Sequence, residues 1–281
     1  MENRKVWFVT GASKGLGLAL VQKLLAGGFS VAATSRNVAD LRDAVGHTGP
    51  EFLPLGVSLT DEASVRQAIA DTVAAFGRID VIVNNAGYGL AGSIEELSDA
   101  ESRGNFDVNV FGTLNVIRAA MPYLRAQQSG HIMNVSSIGG LNGAFPGFGI
   151  YCATKFAVSG LSESLATEVA EFGIKVTVVE PGYFRTDFLT AGSFATPKNQ
   201  IADYQKVRES QDAHQQQING AQPGDPVKAA EAIIRVASEQ NPPVHLLLGE
   251  DAFGLAQAKI NALSTELENW KSVSLSTNFD A

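Results

Sequence analysis

The stretch VWFVTGASKGLG (6–17) runs a short apolar segment into a turn with glycines at 11, 15 and 17. Beyond the turn, Leu16, Leu20 and Leu24 repeat at four-residue steps, the period of one helix face. Strand, glycine turn and helix in immediate succession place free backbone amides and the positive end of a helix dipole at one spot, a site suited to an anion. Glycine lets the backbone turn sharply and come close to a ligand there. No Gly-Lys-Ser/Thr follows, so the loop is not a P-loop, and its spacing is not GxGxxG. In this context the loop reads as a dinucleotide pyrophosphate site, with Gly11, Ser13, Lys14, Gly15, Leu16 and Gly17 as cofactor-binding residues.

The same alternation continues along the chain. Strand-like runs occur at SVAATS (30–35), FLPLGVSL (52–59), DVIVNNAG (80–87), HIMNVSS (131–137), KVTVVEPG (175–182) and VHLLLG (244–249). Between them lie helical stripes: Val65, Ile69 and Val73 after Asp61, then Phe106, Val110, Leu114, Ile117, Met121 and Leu124. Strands this apolar, each followed by a helix, imply a parallel sheet covered on both faces. The predicted fold class is α/β: a Rossmann-like, doubly wound, mostly seven-stranded parallel sheet in a single domain spanning 1–281. Two segments break the rhythm. Residues 183–225 are long and polar and read as a substrate-side flap, with a possible helix at 203–218. Residues 250–281 form a C-terminal helix and tail, whose stripe Phe253, Ala256, Ile260, Leu263, Leu267 and Trp270 needs an apolar partner. Two partners suit it, the edge of the chain's own sheet or a second subunit, and the sheet edge is the expected one.

Composition narrows the partners. Lys and Arg number 21 against 29 Asp and Glu, for a net charge of −8, and no basic cluster suits a nucleic-acid backbone. The single cysteine, Cys152, allows no intrachain disulfide and reads as a small packing residue. Four scattered histidines show no ligand spacing, so no metal is expected. The apolar run after MENRK is too short for a signal peptide, and no run is long enough for a membrane span. A cytoplasmic protein with no membrane or nucleic-acid partner is expected.

The end of the second strand bears on which dinucleotide. A site for NAD commonly carries a carboxylate there; here Ser35 and Arg36 occupy the place. Arg36 can hold a 2′-phosphate bidentately, and Lys14 adds a second cation, so NADP(H) is preferred over NAD(H).

In GIYCATKFAVSG (149–160), Tyr151 and Lys155 stand four apart on one helix face, while Phe156, Val158 and Leu161 read as its buried positions. The spacing alone favours an ordinary packed or solvated pair and leaves a tuned acid as the alternative. TGASKGLG, NNAG (84–87), NFDVNVFG (105–112), NVSS (134–137), YCATK (151–155) and PG (181–182) together decide it. In that order, over roughly the first 190 residues, they resemble the motifs of the short-chain dehydrogenase/reductases.

The resemblance implies carbonyl–alcohol interconversion with a nicotinamide cofactor. Under it Tyr151 is the catalytic acid/base, Lys155 its partner and holder of the nicotinamide ribose, Ser137 the donor to the substrate oxygen, and Asn109 the residue that fixes a relay water. Asn85, Ala86 and Gly87 line the adenosine side with Ser58 and Leu59; Pro181, Gly182, Phe184 and Thr186 meet the nicotinamide. A free phenol titrates near pH 10, and Lys155 and the helix start are expected to lower that value. Two departures stand out. Ser137 lies one residue further from the tyrosine than is usual in the family, leaving Ser136 as a possible substitute, and Ser58 stands where an adenine-facing Asp is common. Phe145, Phe148, Phe184, Phe188 and Phe194 suggest an apolar or aromatic carbonyl substrate. A homodimer or homotetramer is expected, and the alternative is a catalytically weak NADP-binding regulator or scaffold of the same fold.

Overall fold

The computed structural model describes residues 4–190 and 192–279, so the first three residues of the chain start and the last two of the tail lie outside it. In chain order the elements begin with β1 (Val6–Val9), α1 (Gly15–Ala26), β2 (Ser30–Ser35), α2 (Val38–Val45), β3 (Phe52–Gly56), α3 (Glu62–Phe76) and β4 (Val81–Asn84). A short strand, β5 (Gly89–Leu90), and α4 (Asp99–Phe106) lead through a π-helical turn at Asp107–Phe111 into α5 (Gly112–Gln127). There follow β6 (Gly130–Val135), α6 (Gly149–Glu168), β7 (Ile174–Pro181), β8 (Phe194–Ala195) and α7 (Gln205–Asp212). Another π-helical segment, Ala213–Ile218, precedes α8 (Pro226–Ser238), β9 (His245–Leu248) and α9 (Glu250–Leu275).

Seven strands form one parallel sheet in the order β3-β2-β1-β4-β6-β7-β9, as the predicted doubly wound architecture requires. Alternate residues of each strand serve opposite faces. Trp7, Val9, Val31 and Val83 join Leu20, Leu24 and Ile233 in one core layer; Phe8, Ala32, Ile82 and Ile132 join Ile69, Val116 and Leu124 in the other. This explains why the strands read as continuous apolar runs. Asp61 caps α3 by accepting from Ala63 N–H, so that helix starts where its sequence predicts.

The chain builds β1 to β3 outward, then returns to lay β4 on the other side of β1. This reversal puts the glycine loop after β1 beside the turn after β4, at the point where such sheets bind ligands.

Two expectations about helix faces are corrected. Phe156 is 43% exposed, because α6 turns the Tyr151–Lys155 side inward instead. The stripe of α9 does not cover the sheet edge: Ala252 and Ala256 alone of that helix are buried, while Phe253, Ile260, Leu263, Leu267 and Trp270 are exposed. The helix touches the body over its first two turns and then runs on past it.

Candidate active site

The glycine loop is held by its neighbour across the switch point. Gly11 has φ +65°, and a Cβ there would stand 2.7 Å from Ala86 Cα, so only glycine fits without a shift. Asn85 Nδ2 donates to the carbonyls of Thr10 and Gly11, both at 3.0 Å. The Thr10 hydroxyl in turn accepts from Asn85 N–H and Ala86 N–H at 3.0 and 3.1 Å. At the start of α1, Lys14 makes no side-chain cap and the first turn holds no acid. Its leading amides therefore keep their donors toward the cavity, which suits the phosphates of a dinucleotide.

A cavity of about 660 Å³ joins the four loop regions. Gly11, Ser13, Lys14, Gly15 and Leu16 line one end, with Ser35, Arg36, Ser58 and Leu59 beside them. Asn85, Ala86 and Gly87 line it too, as do Pro181, Gly182, Phe184, Ser137, Tyr151 and Lys155, and Thr186, which stands beside Gly15. Gly17 and Asn109 are not among the lining residues. Gly17 sits behind the loop, where a Cβ would run into the Gly11 carbonyl and Asn85.

Asn109 lies within the π-helical turn and is 1% exposed. Its side chain accepts from Tyr88 N–H at 3.0 Å and donates to Tyr88 O at 3.1 Å and Thr154 Oγ1 at 3.0 Å. It thus fixes the backbone of Tyr88, a cavity residue, and ties it to α6.

Tyr151 and Lys155 are both buried on the inner face of α6. Lys155 Nζ donates to Val135 O at 2.9 Å and lies 5.7 Å from the centre of the tyrosine ring. Burial pulls the Lys155 pKa down to about 8. The expected lowering of the phenol does not appear. Burial pushes the Tyr151 pKa above that of a free phenol, and the Ser137 hydroxyl, which pulls it down, does not offset this. The two candidate serines differ sharply. Ser136 Oγ donates to Lys155 O at 2.9 Å and meets Ser159 Oγ at 3.0 Å, so it is spent on packing α6 against β6. Ser137 Oγ accepts from Gly139 N–H at 3.0 Å, which leaves its own proton to donate. The extra residue before Tyr151 is absorbed in the turn 138–148, within which Gly147 adopts φ +84°.

Sequence reading alone missed part of the wall. All five of the noted phenylalanines line the cavity, but so do Tyr183, His214 and Gln222. Tyr183 Oη and His214 Nε2 are 2.8 Å apart, and His214 Nδ1 meets Ser210 O at 2.6 Å. The imidazole therefore carries its proton on Nδ1 and accepts from the phenol. Its ring packs on Phe148 at 4.6 Å between centroids, and burial lowers its pKa. A histidine on a polar segment carried no periodic signal; only the π-helical fold of 213–218 turns it inward. Cys152 is buried in one apolar cluster with Tyr151 and Phe148, its thiol pushed up to about 11 by burial, in keeping with a packing role.

Among the described residues no helix is long and apolar enough to cross a membrane, and no cluster of His, Cys, Asp or Glu could hold a metal ion.

Comparison with known proteins agrees with this fold. The short chain dehydrogenase family matches residues 5–194. Oxidoreductase BOA17 of Botryotinia fuckeliana is 40% identical over 274 residues, covering 97% of this chain and 99% of its own. The crystal structure of a short-chain dehydrogenase from Streptomyces avermitilis superposes with a TM-score of 0.91 at 39% identity, covering 99% of this chain and all of that one. Two solved structures at lower identity hold cofactors. One is the 3-ketoacyl-(acyl-carrier-protein) reductase from Brucella melitensis complexed with NADH (27% identity, TM-score 0.72, covering 87% of this chain and 96% of that one). The other is ElxO with NADP bound (29%, 0.71, 87% and 96%). With the glycine loop, the NNAG turn and the buried Tyr151–Lys155 pair gathered round one cavity, the chain belongs to the short-chain dehydrogenase/reductase family of oxidoreductases.

Proposed function

We propose that this protein is an NADP(H)-dependent oxidoreductase that interconverts a ketone or aldehyde with its alcohol, with Tyr151 as the acid/base. One observation carries the reading: buried Tyr151 and Lys155 line the same cavity as the uncapped start of α1. A nicotinamide dinucleotide bound there supplies or accepts the hydride.

The protein's part is position and proton. Burial keeps the Tyr151 phenol protonated, so at neutral pH it holds a proton for the substrate oxygen in the reductive direction. Ser137, with its acceptor side engaged by Gly139 N–H, offers a second donor to that oxygen. Two donors at one oxygen stabilise the alkoxide as charge develops on it. Lys155, anchored on Val135 O, keeps further ammonium protons for the ribose hydroxyls. Asn109 acts as a positioning residue, through Tyr88 and Thr154.

The preference for NADP(H) rests on the adenosine end. Ser13, Lys14, Ser35, Arg36 and Ser58 line it, and Ser35 Oγ bonds Ser13 Oγ at 3.2 Å where an NAD site commonly places a carboxylate. Arg36 and Lys14 suit a 2′-phosphate. Phe145, Phe148, Phe188 and Phe194 support an apolar or aromatic carbonyl substrate. The single buried thiol, with no partner for an intrachain disulfide, supports action in the reducing cytoplasm.

A panel of ketones and aldehydes, followed by NADPH absorbance, tests the reading. Tyr151→Phe is expected to lower kcat by about 10²–10⁴-fold while NADPH still binds. Turnover near wild type in that variant refutes the assignment of Tyr151. Arg36→Asp should raise the KM for NADPH strongly and that for NADH little; equal effects refute the cofactor preference.

A further inference from the structure

Helix α9 has 26 residues, about 39 Å at 1.5 Å per residue. Of its exposed apolar side chains, Phe253, Ile260, Leu263, Leu267 and Trp270 take, with Ala256, alternating steps of three and four, while Val273 and Leu275 follow outside that repeat. That is a repeat of 3.5 residues, which stays on one side of a helix only when a second helix coils with it. A stripe meant for a sheet or a lone surface has no need of so strict a period. Of this stripe the chain's own body covers only Ala256, beside Ile138 and Leu247, and every described residue from Asn261 on is exposed.

We propose that two copies of this chain pair their α9 helices antiparallel, about a two-fold axis between Asn261 and Ala262. The register sets Ile260 on the partner subunit's Leu263 and Phe253 on the partner subunit's Trp270. Ala256, already covered, is the small layer at which the incoming helix passes the body.

Charge selects this occupant and this direction. The same register sets Lys259 opposite the partner subunit's Glu266, and Lys271 opposite the partner subunit's Glu250. Both pairs occur twice by symmetry, as a self-complementary patch requires. A parallel pairing keeps only Glu266 with Lys271 and stacks Trp270 on its own copy. A lipid surface suits the helix poorly. It carries Glu250, Asp251, Glu266 and Glu268 against Lys259 and Lys271, whereas interfacial helices are rich in cations.

Light scattering and sedimentation on the full chain provide the test. Ile260→Glu with Leu263→Glu should halve the assembled mass without changing the melting temperature or the secondary structure, because both side chains are exposed in the single chain. Lys259→Glu alone should raise the dissociation constant about tenfold, and adding Glu266→Lys should restore it. The proposal is overturned if wild type and the Ile260→Glu, Leu263→Glu variant have the same mass. It is equally overturned if the charge exchange fails to restore association, or if wild type co-sediments with phosphatidylcholine vesicles through this stripe.

Discussion

Lys155 donates to the carbonyl of Val135 at 2.9 Å, not to the phenol of Tyr151 one turn earlier on α6. A buried ammonium must find an acceptor, and the nearest is the end of β6. The lysine is thereby pinned between strand and helix with its charge close to the tyrosine ring, and Tyr151 remains an undissociated acid.

The cost of burying that charge is measurable. The Lys155 pKa is about 8 in the folded state against roughly 10.4 for a free lysine, so between these values the unfolded chain binds more protons. The lysine then makes stability rise with pH, by about 2 kcal/mol from pH 8 to pH 10. Cys152, held up at about 11, works the other way over the same range. The test is therefore a comparison of urea denaturation: relative to wild type, Lys155→Met should lose this gain. Equal pH dependence in both proteins would contradict the burial argument.

His131 provides a second titration, remote from the cavity. It is 4% exposed, its Nε2 donates to Thr177 Oγ1 at 2.9 Å, and burial lowers its pKa to about 4. The unfolded chain gains a proton below about pH 6.5 that the folded chain refuses, so this group removes stability as pH falls. From pH 7 to pH 5 the loss is about 2 kcal/mol. His131→Leu, which leaves the Thr177 bond to Pro243 O in place, should be less acid-sensitive by that amount in denaturation curves.

Asn85→Ala removes both bonds to the Thr10 and Gly11 carbonyls and leaves the glycine loop without its brace. The expected result is a KM for NADPH raised about tenfold, with a loss of roughly 2 kcal/mol in stability from the two bonds. Substrate KM at saturating cofactor should change little. A variant altered only in substrate KM would show that the brace serves the other end of the cavity.

Arg208 on α7 binds both carboxylate oxygens of Glu96, which also accepts from the N–H groups of Ser93 and Ile201. This carboxylate ties the flap to the segment before α4, together with the bonds from Tyr204 Oη to Glu95 and from Gln211 Nε2 to Ala91 O. Arg208→Leu should leave the core's melting temperature near wild type but speed proteolytic cutting within 196–222 several-fold. Substrate KM should rise with it, since Phe194 and His214 line the cavity from that flap. Unchanged cutting would mean the flap is held elsewhere.

Repeating patterns were legible because they are local. Apolar runs, four-residue leucine steps and glycines before a helix announced the parallel sheet, the switch-point crevice and most of its lining. Where the reading failed, the deciding interaction came from far along the chain. Phe156 and Val158 look alike in sequence, yet only the latter faces the core, because the direction of α6 is set by β6 and β7. Ser136 and Ser137 are neighbours of one type and both border the cavity; the turn of the strand end ties the first hydroxyl to Lys155 O and Ser159, while the second only accepts, from Gly139 N–H, and keeps its proton. His214 joined the site only through a π-helical segment that no periodicity marks.

The sequence by itself determined the fold class and the motif residues, since hydrophobic period and backbone freedom are properties of neighbours in the chain. Tertiary structure alone decided how the proton chemistry is set. The acidity of Tyr151 depends on how much water the folded chain leaves around it, and the place of Lys155 on which carbonyl lies nearest. Burial and long-range hydrogen bonds come into being only when distant segments meet.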